Sequence, residues 1–118
     1  MKITNKDPGF YNLLGPIFGS RKIQRETSDR FFDDDKKEWR LELDDKEEVI
    51  AIISISGKTI KNAYCQNRKS LVRLLKDVYD CTGISTVPSI YLDAYKKAGY
   101  EIIESGLKNF TKIKGGAK

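Results

Sequence analysis

The stretch VIAIISIS at residues 49–56 constrains the fold of this chain more than any other segment. It is almost entirely apolar and rich in β-branched side chains, which is typical of a central strand covered on both faces. Gly57 and Lys58 then predict a tight hairpin turn, so residues 59–66 are expected to form the next, antiparallel strand. A sheet with helices on both sides is the fold that these features favour.

Periodic patterns on either side of this hairpin predict the remaining elements. Residues 38–43 alternate between polar and apolar, as in a half-buried strand, and residues 69–80 place their leucines on one helical face. Weaker patterns predict strands at 2–4, 84–87, 100–104 and 109–113 and helices at 10–18, 21–26 and 90–98. We expect an α/β (α+β) protein with one mixed sheet of six to seven strands, antiparallel in its first half, and helices on both faces.

The length of 118 residues fits a single domain, and the chain contains neither a repeat nor a linker that would separate two. Residues 1–9 are expected to be an N-terminal arm or a short first strand, and residues 114–118 a flexible tail. The first residues lack the apolar core of a signal peptide, and the longest apolar run is far too short for a bilayer. We therefore expect a cytoplasmic protein with no membrane partner.

The composition limits the chemistry that this chain can perform. It contains no histidine, which excludes Ser-His-Asp and Cys-His nucleophile pairs as well as histidine-ligated metals. Its two cysteines, Cys65 and Cys81, have no metal or redox spacing, so we expect free thiols and no metal site.

The charge distribution permits an anionic partner without requiring one. The net charge is +5, from 22 basic and 17 acidic residues. The acidic run at 33–35 suits a metal or a basic partner, but such a run is equally typical of a solvated turn. Lys112 and Lys114 would contact nucleic-acid phosphates or protect the edge of a sheet, so nucleic acid stays open as a partner.

The most specific motif is AYKKAGY at residues 94–100. Gly99 ends a helix before a strand, and Tyr95 lies four residues before that glycine. This spacing resembles the GNAT N-acetyltransferases. In that family the last helix is joined to the sixth strand by a motif that consists of Ala or Leu, then Tyr, then any three residues, then Gly-Phe. Here Tyr100 stands for the phenylalanine. The predicted order of strands and helices resembles that family as well, over residues 10–113 in outline, and the resemblance implies the GNAT fold.

In that family the tyrosine hydroxyl lies near the cofactor sulfur, so the resemblance implies that Tyr95 is the general acid. A phenol suits this role because its ordinary pKa of about 10 is close to that of a thiol leaving group. The simpler interpretation is a tyrosine that packs at the end of a helix, with Gly99 needed only to end that helix.

The resemblance also implies an acetyl-coenzyme A site in the segment AYCQNRKSLVRLL. In the family, the amides of a glycine-rich turn and the dipole of the following helix hold the pyrophosphate. Here the turn has no glycine and is about two residues short, but Arg68 and Lys69 supply positive charge. The implied cofactor-binding residues are Cys65, Gln66, Arg68, Lys69, Ser70 and Leu71. The alternative is a basic helix start capped by Asn67 or Ser70.

Acetyl transfer to an amine requires a base, for which Glu42 is the candidate. It shares one strand face with Glu38 and Arg40, although a solvated face explains the same pattern. Cys65 has no base partner, and we expect it to behave as a buried hydrophobe.

Two functions therefore stay open. The first is a GNAT-like N-acyltransferase that moves an acetyl group from acetyl-coenzyme A to an amine of an unknown substrate. Compact chains of this kind also resemble phage-encoded forms, some of which modify DNA bases, so the target would be DNA or protein. The alternative is a catalytically decayed GNAT-fold binding module that contacts protein or nucleic acid. Either would be a monomer or a homodimer.

Overall fold

Seven strands and four α-helices make up the computed structural model, which describes residues 1–117 and all of their side chains except those of 105–107. The strands are β1 (Lys2–Ile3), β2 (Glu38–Leu43), β3 (Val49–Ser56), β4 (Thr59–Cys65), β5 (Ile84–Pro88), β6 (Glu101–Leu107) and β7 (Phe110–Lys114). The helices are α1 (Phe10–Phe18), α2 (Arg21–Thr27), α3 (Arg68–Val78) and α4 (Leu92–Lys97).

The strands form two antiparallel sheets, so the protein belongs to the α+β class. Four strands pair in the order β1-β2-β3-β4, and three pair in the order β5-β7-β6. The predicted antiparallel first half is confirmed. The structure differs from the expected single mixed sheet, because no strand pairing joins β4 to β5 within residues 1–117.

The start of β4 nevertheless lies beside the start of β5. The amide of Gly83 donates to the carbonyl of Lys58 at 2.8 Å, and the amide of Ile60 donates to the hydroxyl of Ser85 at 2.9 Å. A serine side chain thus accepts the hydrogen bond that a backbone carbonyl would accept in a continuous sheet. This is a physical reason for the division into two sheets.

The central position predicted for β3 is confirmed, since it pairs with β2 on one side and β4 on the other. Its successive side chains alternate between the two faces of the sheet. Ala51 and Ile53 belong to the core cluster that contains α3 and α4, whereas Ile52 belongs to the cluster beneath α1 and α2. Helices therefore cover both faces of the four-stranded sheet.

Backbone hydrogen bonds continue beyond the last strand, into the segment 114–118 for which we expected a flexible tail. Lys114 is the last residue of β7, and backbone hydrogen bonds fasten the next three residues to the segment after α3. The amides of Gly115, Gly116 and Ala117 donate to carbonyls at 3.0, 2.8 and 2.9 Å respectively. Lys118 lies outside the described residues.

Candidate functional site

The far ends of β4 and β5 are separated by a tyrosine side chain. Tyr91 follows β5 in a short 3-10 turn and is only 2% exposed. Its hydroxyl accepts a hydrogen bond from the amide of Cys65, the last residue of β4, at 3.2 Å. Burial raises the pKa of this phenol to about 12. We call the space between these two strand ends, which Tyr91 occupies, the strand gap.

Tyr95 lies one helical turn after Tyr91 and is completely buried. Its hydroxyl has no hydrogen-bond partner among the described residues. Its ring packs edge-on against Tyr100, with 5.5 Å between the ring centroids. Burial is the main reason that the pKa of Tyr95 lies far above its ordinary value, so the phenol keeps its proton at any ordinary pH. The protein interior thus contains a proton donor that has no acceptor.

Arg68, at the start of α3, covers the outer end of the strand gap. Its guanidinium donates to the sulfur of Cys65 at 3.2 Å and to the carbonyl of Ile90 at 3.3 Å. It also lies 4.6 Å from the centroid of the Tyr91 ring and pairs with Asp93 at 3.5 Å. Burial raises the pKa of the Cys65 thiol, which makes this cysteine a poor nucleophile.

The first turn of α3 is capped by its own sequence. The side-chain carbonyl of Asn67 accepts from the amides of Lys69 and Ser70 at 2.9 and 3.3 Å. Its backbone carbonyl accepts from the amide of Leu71 at 3.2 Å. These are the amides to which the resemblance assigned a pyrophosphate, and the helix start is instead satisfied by Asn67. Ser70 and Leu71 are both fully buried.

A pocket of about 310 Å³ opens beside this helix start, and we call it the cationic pocket. It is lined by Arg68, Lys69, Val72, Arg73 and Lys97. Four cations from two helices thus surround one valine. Such a set of lysine and arginine side chains suits a ligand that carries phosphate groups.

Glu42 lies at the edge of this region as the partner of Arg73. Two hydrogen bonds of 3.0 and 2.7 Å join the guanidinium to the two carboxylate oxygens. The bonds from Arg73 hold the pKa of Glu42 below its ordinary value. A carboxylate with a lowered pKa is a weaker base, so this arrangement favours a structural role for Glu42.

The six residues predicted to bind the cofactor do not converge on one place. Arg68 and Lys69 line the cationic pocket, and Cys65 lies under Arg68 in the strand gap. Gln66 lines a different cavity, beside α1 and α2. Both cysteines are free thiols, as expected from their spacing.

Three residues that the sequence analysis did not single out belong to the site. Arg73 lies four residues after Lys69, so helical periodicity would have placed both on one face of α3. Tyr91 lies four residues before Tyr95 and faces the same core for the same reason. Lys97 carries no such signal, because its position depends on how α4 packs against α3.

Replacing either of the two buried tyrosines by phenylalanine is expected to change the free energy of unfolding, but in opposite directions. We expect Tyr91→Phe to lower the free energy of unfolding by about 1–2 kcal/mol, because the amide of Cys65 loses its partner. We expect Tyr95→Phe to raise it by up to about 1 kcal/mol, because a buried hydroxyl without a partner is removed. Urea denaturation of both variants measures the two effects, and changes of the same sign would contradict this assignment of hydrogen bonds.

The fold and the site together define an α+β protein with a cationic pocket beside a strand gap that a tyrosine fills. No helix in the described part of the chain has the length and apolar character required to cross a membrane. Within residues 1–117 there is also no group of three or more acidic or cysteine side chains arranged to hold a metal. No family model, curated protein or solved structure matches this chain.

Proposed function

We propose that the chain is a GNAT-like N-acyltransferase that moves an acetyl group from acetyl-coenzyme A to an amine. The observation that carries this proposal is the cationic pocket, which opens at Arg68, the residue that covers the strand gap. The order of strands and helices along the chain is the order on which the GNAT resemblance rests. The acceptor would be an amine of a DNA or protein substrate.

The residues present fit acetyl-coenzyme A through side chains more than through backbone amides. Lys69 and Lys97 would hold its phosphate groups, and Arg68 and Arg73 would join them by exchanging Asp93 and Glu42 for phosphate oxygens. The bound cofactor supplies an activated acetyl thioester. The amide of Cys65 would be available for hydrogen bonding once Tyr91 moves away from it. The hydroxyl of Tyr95, which has no partner, would give its proton to the departing thiolate, and contact with the bound cofactor would have to lower the pKa that burial raises in its absence.

Titration with acetyl-coenzyme A tests the proposal. A ligand present at a hundredfold excess over its dissociation constant stabilises the folded protein by about 2.7 kcal/mol, which a thermal shift or calorimetry detects. The double variant Lys69→Gln/Lys97→Gln should bind about tenfold more weakly, because both lysines line the pocket. Lys46→Gln/Lys76→Gln is the matched control, since both of these lysines are exposed and neither lines the pocket.

Turnover provides the second measurement. Loss of a general acid lowers rates by about 10²–10⁴-fold, so Tyr95→Phe should bind the cofactor normally and acetylate slowly. The absence of a stabilising shift at millimolar acetyl-coenzyme A would refute the proposed acyltransferase function. Normal turnover by Tyr95→Phe would refute only the role of Tyr95 as the general acid, and not the acyltransferase function.

The second candidate is a GNAT-fold binding module without catalysis, and two contacts favour it. Tyr91 already occupies the strand gap, and Asn67 already caps the amides of the first turn of α3. A protein that has permanently lost its cofactor would keep both contacts. Tyr91→Ala distinguishes the two functions, because it opens the strand gap. If the protein is an acyltransferase, this variant should bind acetyl-coenzyme A at least as well as the unaltered protein. If the protein is a binding module, the variant should still not bind acetyl-coenzyme A.

A further inference from the structure

A second cavity lies on the opposite face of β4 from the strand gap. It has a volume of about 460 Å³ and is bounded by α1, α2 and the ends of β3 and β4. Tyr64 and Gln66 line it, whereas Cys65, between them, contacts Arg68 on the other face. Alternation along the strand thus separates this cavity from Tyr95. Its size is within the range of small-molecule sites, and its apolar floor is formed by Leu13, Pro16, Ile17, Ile23 and Val49.

Tyr64 brings an unused polar group to this cavity. The residue is only 6% exposed and is one of the residues that line the cavity. Within residues 1–117 its hydroxyl forms no hydrogen bond, in contrast to the hydroxyls of Tyr91 and Tyr100. The hydroxyl oxygen is not enclosed by the protein as that of Tyr95 is, so a ligand in the cavity can reach it and form the hydrogen bond that the protein does not supply.

The rim of the cavity carries a net negative charge, from Glu47 and Glu48 against Lys22. Glu47 and Glu48 both line it, and neither carboxylate pairs with a cation in the part of the chain that the structure describes. The side chain of Asp44 fixes this turn, because it accepts from the amides of Lys46 and Glu48 at 2.9 Å each. Lys22 on the facing rim is paired instead with Glu26, at 3.8 Å.

We propose that this cavity binds a small amphipathic primary amine. The ammonium group would lie between the two glutamates and donate to the hydroxyl oxygen of Tyr64, while the apolar body would cover the floor of the cavity. The charge complementarity selects a cation over a neutral or anionic molecule of the same shape. This site requires no coenzyme A, so it is independent of the acyltransferase proposal.

A titration with three matched probes tests the site. Phenethylamine, phenethyl alcohol and hydrocinnamate share one apolar body and differ in the charge of the head group. We expect the backbone amide signals of residues 12–15, 17, 20–23, 47–49 and 64–66 to shift in nuclear magnetic resonance spectra with phenethylamine at low salt. The alcohol should bind about fivefold more weakly, and the anion should not bind at millimolar concentration.

Variants assign the preference to particular side chains. Glu47→Gln/Glu48→Gln should make the amine and the alcohol bind equally, and Tyr64→Phe should weaken the amine about threefold through the lost hydrogen bond. Asp45→Asn removes one carboxylate of the same turn that does not line the cavity, so it should leave the preference unchanged. Equal binding of amine and alcohol to the unaltered protein, or amine-induced shifts outside these residues, would overturn the proposal.

Discussion

Asn62→Leu is expected to lower the free energy of unfolding by about 3 kcal/mol, because this one side chain uses every hydrogen bond that an amide can make. Its carbonyl accepts from the ammonium group of Lys37 at 3.0 Å and from the hydroxyl of Ser54 at 2.7 Å. Its amino group donates to the carboxylate of Asp29 at 2.9 Å and to the carbonyl of Arg30 at 3.3 Å. Leucine has a similar volume and can make none of these bonds.

The cost is large because two of these partners are charged groups, of which Lys37 is buried and Asp29 is half-buried. Burial is the main cause of the lowered pKa of Lys37 and of the raised pKa of Asp29, so each charge is already disfavoured in the folded protein. Removing Asn62 leaves both charges with fewer hydrogen bonds. Substitutions that leave a buried charge without its partners are among the most destabilising in proteins. Asn62 thus fastens the loop that precedes β2 to the middle of the four-stranded sheet.

Ser54→Ala is the matched control for this substitution. It removes one of the same four hydrogen bonds without affecting a charged group, so we expect a loss of about 1 kcal/mol. Urea denaturation of both variants gives the comparison. If Asn62→Leu costs no more than Ser54→Ala, the two charged groups do not depend on Asn62, and water or another side chain replaces it.

Elements that depend on local periodicity could be predicted from the sequence. The apolar run that became β3, the alternation that became β2 and the leucine face of α3 each indicate their structure within a few neighbouring residues. The division into two sheets could not be predicted in this way. It depends on the hydroxyl of Ser85, which reaches an amide 25 residues away.

In the loop before β2, the burial of a charged residue could not be predicted from the local sequence either. Lys37 follows three aspartates and another lysine, a pattern typical of a solvated turn, yet it is only 6% exposed. Its burial is stabilised by Asn62, which lies in another strand, and by the ring of Phe32 at 3.8 Å from the ammonium group. No local pattern contains that information.

The sequence indicated only those residues of the candidate site that lie within a local motif. Spacing singled out Tyr95, and the basic pair at the start of α3 indicated Arg68 and Lys69. The state of the strand gap depends on Tyr91 and Arg68, whose side chains fill and cover it. These are contacts between separate elements, so sequence spacing alone could not establish them.

The other large effect on stability is expected at the end of the chain, where Gly115→Ala adds a single methyl group. A Cβ atom at Gly115 would lie 2.4 Å from the hydroxyl oxygen of Thr82, 2.5 Å from the carbonyl oxygen of the same residue and 2.9 Å from the carbonyl oxygen of Tyr79. Two of these three atoms belong to the backbone and cannot rotate away. We therefore expect Gly115→Ala to lower the free energy of unfolding by about 3 kcal/mol, at the upper end of the range for overpacked sites.

Gly83→Ala is an unusually close control, since the carbonyl of Gly83 accepts the hydrogen bond from the amide of Gly115. A Cβ atom at Gly83 would have its nearest neighbours at 3.9 Å, which is ordinary contact, so this variant should unfold like the unaltered protein. Hydrogen exchange shows how the clash is relieved. If residues 115–117 detach, their amides lose protection in Gly115→Ala while β7 stays protected, and the loss of stability then measures how strongly the tail is attached. Equal stability of the two glycine variants would mean that the tail contributes nothing, contrary to the three hydrogen bonds that hold it.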